Sequence, residues 1–194
     1  EKDRSPEEYK KSLAVIQRQG NKMANLINDM LAFTRLENNR DSYEMKTINL
    51  SKLVKSLAHD LSMIKENDIS ILQNIEDAIY IKGNEELLNR MISNLINNAY
   101  RYGKFGGNTC ISLKSIANKA ILSVKDDGPG IKKEDQEKIF ERFFQADNAR
   151  NTKGTGLGLP MVKEISDLHK AKLTLISDQG KGSDFIVEFN KVNL

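Results

Sequence analysis

Three short segments of the chain carry residues whose types and spacing suit chemistry on a phosphorylated ligand. Asn94, Asn98 and Arg101 fall four and three residues apart, so on a helix they share one face, with Leu95, Ile96 and Ala99 on the other. An amide oxygen is a neutral, hard ligand for magnesium already held by phosphates, and an arginine one turn on can meet phosphate oxygens. A plain solvated helix face gives the same pattern. Asp126-Asp127-Gly128-Pro129-Gly130 follows an apolar run, which puts a carboxylate at the end of a strand and two glycines where backbone can approach a ligand. Such a carboxylate can accept a hydrogen bond from the exocyclic amino group of adenine; an ordinary aspartate-glycine turn has the same composition. Gly154-Thr155-Gly156-Leu157-Gly158-Leu159 stands before an apolar-periodic segment and offers N–H groups unobstructed by side chains, a setting that suits phosphate and also suits a hinge. Its glycines fall at every second position and no Gly-Lys-Ser/Thr follows, so it is neither a dinucleotide fingerprint nor a Walker loop.

A fourth segment reads as a cover. Phe140, Phe143 and Phe144 precede Gln145 to Lys153, a stretch too polar to pack by itself. An aromatic anchor followed by a polar loop is the composition of a lid that excludes water from a bound nucleotide, although the phenylalanines also suit an ordinary core.

The elements that must position these groups are legible from capping and period. Ser5-Pro6-Glu7-Glu8 is a helix start, with a hydroxyl at the N-cap, proline at the first helical position and a carboxylate at the third. Leu13, Ile16, Gly20, Met23, Ile27, Met30 and Thr34 then recur at alternating spacings of three and four, a coiled-coil-like seam that predicts a dimerising helix or a helix packed on its own domain. Glu37 to Ser42 reads as a linker, with a boundary near Tyr43 to Thr47. Beyond it the pattern predicts a strand at Lys46 to Leu50 and a helix capped by Ser51 with Leu53, Val54, Leu57, Ala58, Leu61 and Ile64 inward. Strands follow at Ile69 to Ile75 and Ala78 to Lys82, then a long helix from an Asn84 cap to near Gly103, and a hairpin of Thr109 to Ser115 and Ala120 to Asp126 turning at Asn118-Lys119. A short helix at Lys132 to Phe140, a helix from Thr155 to about His169, and strands at Lys172 to Ser177 and Ser183 to Phe189 complete the pattern. The expected class is α+β: a two-layer sandwich, helices on one face of a mixed sheet, preceded by a long coiled-coil-like helix.

Composition narrows the function. The chain has 194 residues, enough for one good core and a small appendage. Its 30 basic and 27 acidic residues are interspersed, so no basic stripe offers itself to a nucleic acid. No apolar run approaches the roughly 18 residues that cross a bilayer. A single cysteine, Cys110, excludes an internal disulfide framework, fits a reducing, cytoplasmic compartment and is expected to be a buried strand thiol. The chain opens at Glu1 without an initiator methionine, and we expect it to be a fragment of a longer protein, membrane-anchored if at all through segments upstream.

Taken in order, Asn94 to Tyr102, Asp126 to Gly130, Phe140 to Phe144 and Gly154 to Leu159 resemble the N, G1, F and G2 boxes of sensor histidine kinases in two-component systems. The resemblance implies the Bergerat, or GHKL-type, ATP-binding sandwich over residues 46–194, preceded at residues 1–45 by the second helix of the dimerisation hairpin. It also implies ATP and magnesium as cofactors. Asp126 would bind the adenine amino group, with Gly128, Gly130 and Phe144 about the base. Asn98 would hold magnesium, Asn94 and Arg101 the phosphate end, and Tyr102 the base or ribose. Gly154, Thr155, Gly156, Leu157 and Gly158 would hold the phosphates. Asn94, Arg101 and the F-box Arg142 would serve catalysis, while Gln145 stands where many relatives have a second arginine.

The implied reaction moves the γ-phosphoryl group to a histidine and onward to a response regulator, in a full-length homodimer. The chain has only His59 and His169. His59 lies within the expected ATP domain and His169 near a helix end, so the acceptor is expected upstream of Glu1. A self-contained ATPase of the same fold is one alternative. Such relatives carry a glutamate four residues before the magnesium asparagine to activate water, and here that position is the amide of Asn94. A noncatalytic nucleotide-binding or dimerising module is the other.

Overall fold

A computed structural model describes residues 5–63, 69–146 and 154–192. The expected cap forms at the first helix, α1 (Pro6–Asn38): Ser5 N donates to Glu8 Oε2 at 2.7 Å and Glu8 N to Ser5 Oγ at 3.3 Å. The predicted seam of α1 points outward, with Leu13, Ile16, Met23, Ile27 and Met30 all exposed. A different stripe, centred on Phe33 and Leu36, turns inward and joins the core. Residues 40–42, expected as open linker, form a 3-10 turn leading to strand β1 (Lys46–Asn49).

Helix α2 (Leu50–Ser62) starts two residues earlier than a Ser51 cap would place it. Ser51 is not the cap: its buried hydroxyl donates to Glu76 O at 2.6 Å and accepts from Ile79 N at 3.0 Å, tying the helix to the turn at residues 76–79. Asn49 caps instead, its Oδ1 accepting from Lys52 N at 2.9 Å. Val54 and Ala58 are buried and Leu53 and Leu57 half-buried, as expected; the Leu61 side chain and Ile64 lie outside the described residues. Strands β2 (Ser70–Ile75) and β3 (Tyr80–Gly83) lead into α3 (Glu85–Tyr102), where Asn84 Oδ1 accepts from Leu87 N at 3.1 Å. The hairpin β4 (Asn108–Ile116) and β5 (Lys119–Asp126) turns at Ala117-Asn118, one residue before the expected position, with Ala117 at φ 51°. Two 3-10 turns, Lys133–Asp135 and Lys138–Phe140, replace the expected short helix. Helix α4 (Gly158–Leu168) begins after the glycine loop rather than at Thr155, because Gly156 sits at φ +74°, outside helical backbone. Strands β6 (Lys172–Ser177) and β7 (Ser183–Val192) complete the described elements.

The seven strands include six in the order β1-β3-β7-β5-β4-β2, and β6 pairs with β7 off this path, on the edge opposite β5. Only β2 and β4 are parallel, so the sheet is mixed as expected. Every second residue of the central strands, Ile111 and Leu113, Leu122 and Val124, Phe185 and Val187, is buried among Leu88, Met91, Ile92, Leu95 and Ile165 of the helices. The alternate residues form a partly exposed outer face. Cys110 belongs to that outer set and is half-exposed, because its neighbours Thr109 and Ile111 take the inward positions.

Candidate nucleotide-binding site

Helix α3 carries the polar stripe at the helical spacing of its sequence. Asn94 and Asn98 are half-buried and Arg101 is exposed, while Leu95, Ile96 and Ala99 are sealed beneath the sheet. Burying that apolar face fixes the rotation of the helix, and with it the direction of the amides. The stripe extends one turn further back to Arg90, which the sequence argument did not include.

Asp126 ends β5 and is only 4% exposed. Its Oδ1 accepts from Gly128 N at 2.9 Å. Burial pushes the carboxyl above the ordinary value of 3.8, opposed in part by backbone N–H donors from Gly128 and Ser183. The adjacent Asp127 does a different job: it accepts from Asn108 N at 2.8 Å and Lys104 N at 3.4 Å, fixing the loop between α3 and β4. Gly128 is required by close approach, since a Cβ there would lie 2.1 Å from Tyr102 O.

The glycine loop is clasped by the phenylalanine segment. Phe143 N donates to Gly156 O at 2.9 Å, and Gln145 Nε2 to Gly154 O at 2.8 Å. Gln145 therefore holds the loop backbone at the position where an arginine was a possible expectation. A Cβ on Gly154 would lie 3.2 Å from Arg101 Nη1 and 3.4 Å from the Tyr102 hydroxyl, and one on Gly158 3.7 Å from Asn94 Oδ1. The amide stripe and the glycine loop thus face each other at contact distance.

Between them lies a cavity of about 390 Å³. Asn94, Asn98, Arg101, Tyr102, Asp126, Gly130, Phe144, Gly154, Thr155, Gly156 and Gly158 all line it. Gly128 and Leu157 support it from behind: Gly128 through Asp126, and Leu157 as a buried residue preceding α4. Arg142 lies outside the lining, paired with Glu37 of α1, its guanidinium carbon 4.5 Å from the centroid of the Phe33 ring. Of the stretch expected as a lid, Gln145 to Lys153, residues 147–153 lie outside the described residues.

Sequence reasoning missed several lining residues, among them Lys132 and Asp135 in the 3-10 loop and Ser183 at the start of β7. It also missed Asn25, Asn28 and Asp29 of α1. Asp29 Oδ2 accepts from Thr155 Oγ1 at 2.9 Å. The available signal was a second stripe, Asp29, Phe33, Leu36 and Arg40, at spacings of four, three and four.

Residues 83–193 match the model of the family described as histidine kinase-, DNA gyrase B-, and HSP90-like ATPase. The chain belongs to that family. Within this ATPase family it is of the histidine-kinase type. It is 38% identical over 180 residues to the sensor histidine kinase RppB of Synechocystis sp., an alignment covering 91% of this chain and 40% of RppB. Against the sensor histidine kinase WalK of Bacillus subtilis it is 31% identical over 176 residues, 88% of this chain and 29% of WalK. The chain thus spans well under half the length of these relatives. The fold matches the structure of full-length ShkA in complex with AMPPNP with a TM-score of 0.81 at 24% identity, over 100% of this chain and 41% of ShkA.

Proposed function

We infer that this chain binds ATP with magnesium in the cavity between α3 and the glycine loop and, in the full-length protein, directs the γ-phosphoryl group to a histidine outside this chain. The observation that carries this is the convergence of a buried carboxylate, two amides and an arginine, and three glycines on one cavity of nucleotide size.

In this reading Asp126 accepts a hydrogen bond from the adenine amino group, and its burial makes a mismatched base edge costly. Tyr102 and Phe144 flank the base and ribose. The N–H groups of Gly154 to Gly158 and the Arg101 guanidinium take the phosphates. Among the described residues there is no cluster of three or more His, Cys, Asp or Glu able to hold a metal by itself. An amide oxygen from Asn98 beside phosphate oxygens is a donor set suited to magnesium, which would neutralise charge on the transferring group. The remaining contribution of the protein is positioning. Arg142 joins the phosphates only after leaving Glu37 and Phe33.

Neither histidine of the chain suits the role of acceptor. His169 is engaged at both ring nitrogens: Nε2 accepts from Asn84 N at 3.1 Å, and Nδ1 lies 2.8 Å from Ile165 O. His59 sits on α2, outside the cavity lining. The acceptor accordingly belongs to a helix that pairs with the exposed seam of α1 in a homodimer, and an aspartate on a response regulator receives the group next. The reaction takes place in the cytoplasm, where ATP is; among the described residues no helix is long and apolar enough to cross a membrane. Hydrolysis by water is disfavoured because Asn94 offers an amide where a general base would stand.

Calorimetric titration with a non-hydrolysable ATP analogue and magnesium tests the site. One-to-one binding that Asp126→Asn weakens by about a hundredfold or more is expected, since the substitution turns an acceptor toward a donor. No binding by the intact chain would remove the nucleotide reading altogether.

A further inference from the structure

Helix α1 does more than precede the ATP-binding domain; it forms one wall of the cavity. Asn25, Asn28 and Asp29 line it beside Gly154, Thr155 and Gly156. Asp29 is the pivotal group. Its Oδ2 accepts from the Thr155 hydroxyl at 2.9 Å, and its Oδ1 lies 3.4 Å from Arg90 Nη2. Thr155 belongs to the loop whose N–H groups are free of side-chain obstruction, and Arg90 stands one turn before Asn94 on the polar face of α3. A hydroxyl donor and a guanidinium, one at each oxygen of the carboxylate, are the partners that a terminal phosphate group would take.

We propose that Asp29 is an intramolecular occupant of the phosphate end of the cavity, so that docking of α1 and binding of a nucleoside triphosphate oppose each other. This rests on the ATP reading of the site. The rest of α1 holds the carboxylate in place: Phe33 and Leu36 are buried against the domain, Glu37 pairs with Arg142, and Arg40 pairs with Glu164 of α4. Tethered in this way, Asp29 meets Thr155 at high effective concentration. An incoming triphosphate must displace it or bind beside a like charge. Reciprocity follows: whatever the nucleotide loses to the docked helix, the helix loses to the nucleotide. Asp29 and Arg90 have side chains 38% and 36% exposed, so solvent screens the contact and its effect is modest.

The sign separates this from the obvious rival. Were Asp29 a ligand for the magnesium carried with ATP, removing its charge would weaken binding; an occupant of the phosphate end does the reverse.

The test is calorimetric titration of AMP, ADP and a non-hydrolysable ATP analogue, each with magnesium, into the intact chain and its Asp29→Asn, Asp29→Ala and Glu7→Gln variants. The Asp29 variants are expected to bind the ATP analogue about fivefold more tightly. The gain should shrink for ADP and vanish for AMP, and Glu7→Gln, which removes the same charge from the first turn of α1, should change nothing. Hydrogen exchange across Asn25 to Leu36 should quicken when the analogue is added to the intact chain. Equal affinities for the Asp29 variants and the intact chain, or weaker binding by the variants, would overturn the proposal while leaving the ATP reading standing. Absence of binding by every variant with every nucleotide would remove both.

Discussion

The guanidinium of Arg142 lies over the face of Phe33, carbon to ring centroid 4.5 Å, and pairs with Glu37 one helical turn further along α1. Phe33 is 6% exposed, so this contact joins apolar burial to a cation held over a π-face. The exposed ion pairs along the interface contribute roughly 0–1 kcal/mol each, whereas truncating a buried phenylalanine costs roughly 3–5 kcal/mol. The aromatic residue therefore decides whether α1 docks. Phe33→Ala is expected to undock the C-terminal half of α1, read as fast hydrogen exchange from Asn25 to Asn38 with protection of β4, β5 and β7 retained. Glu37→Gln should leave α1 protected. Equal protection of α1 in Phe33→Ala and the intact chain would show that the ion pairs, not the ring, hold the helix.

The loop after β5 has no room for a side chain at Gly128. A Cβ would sit 2.1 Å from Tyr102 O and 2.8 Å from Asp126 Oδ1, so either the end of α3 or the buried carboxylate must shift. Gly128→Ala is expected to cost about 3 kcal/mol and to abolish nucleotide binding, because both displaced groups line the cavity. Gly106→Ala provides the comparison. Gly106 has φ +67° with nothing near its missing Cβ, so the substitution should cost only the backbone term, about 1 kcal/mol, and preserve binding. Urea melts with and without the ATP analogue measure both quantities. Comparable losses at the two positions would mean that backbone conformation, not the contact with Tyr102, sets the requirement.

What the sequence made legible, and what it did not, follows from how each element is specified. The face of α3 could be drawn in advance because Leu87, Leu88, Met91, Ile92, Leu95, Ile96 and Ala99 recur at helical spacing, and packing them fixes where Asn94 and Asn98 point. The glycine loop was legible as a loop, but its φ +74° residue, which delays α4 to Gly158, is a property of the folded chain. Ser51 was misassigned because a serine ahead of an apolar-periodic run reads as a cap; its hydroxyl instead serves the Glu76 and Ile79 backbone, a partnership made only in three dimensions. The wall contributed by α1 was masked by a stronger signal. The regular apolar seam of Leu13 to Met30 drew attention to the face that is left exposed, while the docking stripe mixes Asp29, Phe33, Leu36 and Arg40 and has no apolar period of its own. Gln145 shows the same limit from the other side: the sequence marks only that it stands where many relatives have an arginine, and in the fold its amide ties Gly154 in place.

His169 offers a test of stability that is independent of any ligand. Its Nε2 accepts from Asn84 N at the start of α3, its Nδ1 faces Ile165 O, and its ring meets Phe189 edge-on at 6.5 Å. Gly83 leaves the ring its space, since a Cβ there would lie 2.9 Å from His169 Cδ2. Burial holds the imidazole below its ordinary 6.5. Protonation would also set a new N–H against the Asn84 donor. The unfolded chain therefore takes up this proton first as the pH falls. The stabilisation is fully present above 6.5 and is lost progressively below it, until the folded state protonates as well. Each unit by which the folded value is lowered is worth about 1.4 kcal/mol. The urea midpoint of the intact chain should accordingly drop between pH 7.5 and pH 5.5. His169→Gln should be less stable than the intact chain at pH 7.5, through lost packing and hydrogen bonds, and should lose less between the two pH values. If the two chains lose the same amount over that interval, other groups carry the acid sensitivity and protonation of His169 is not linked to folding.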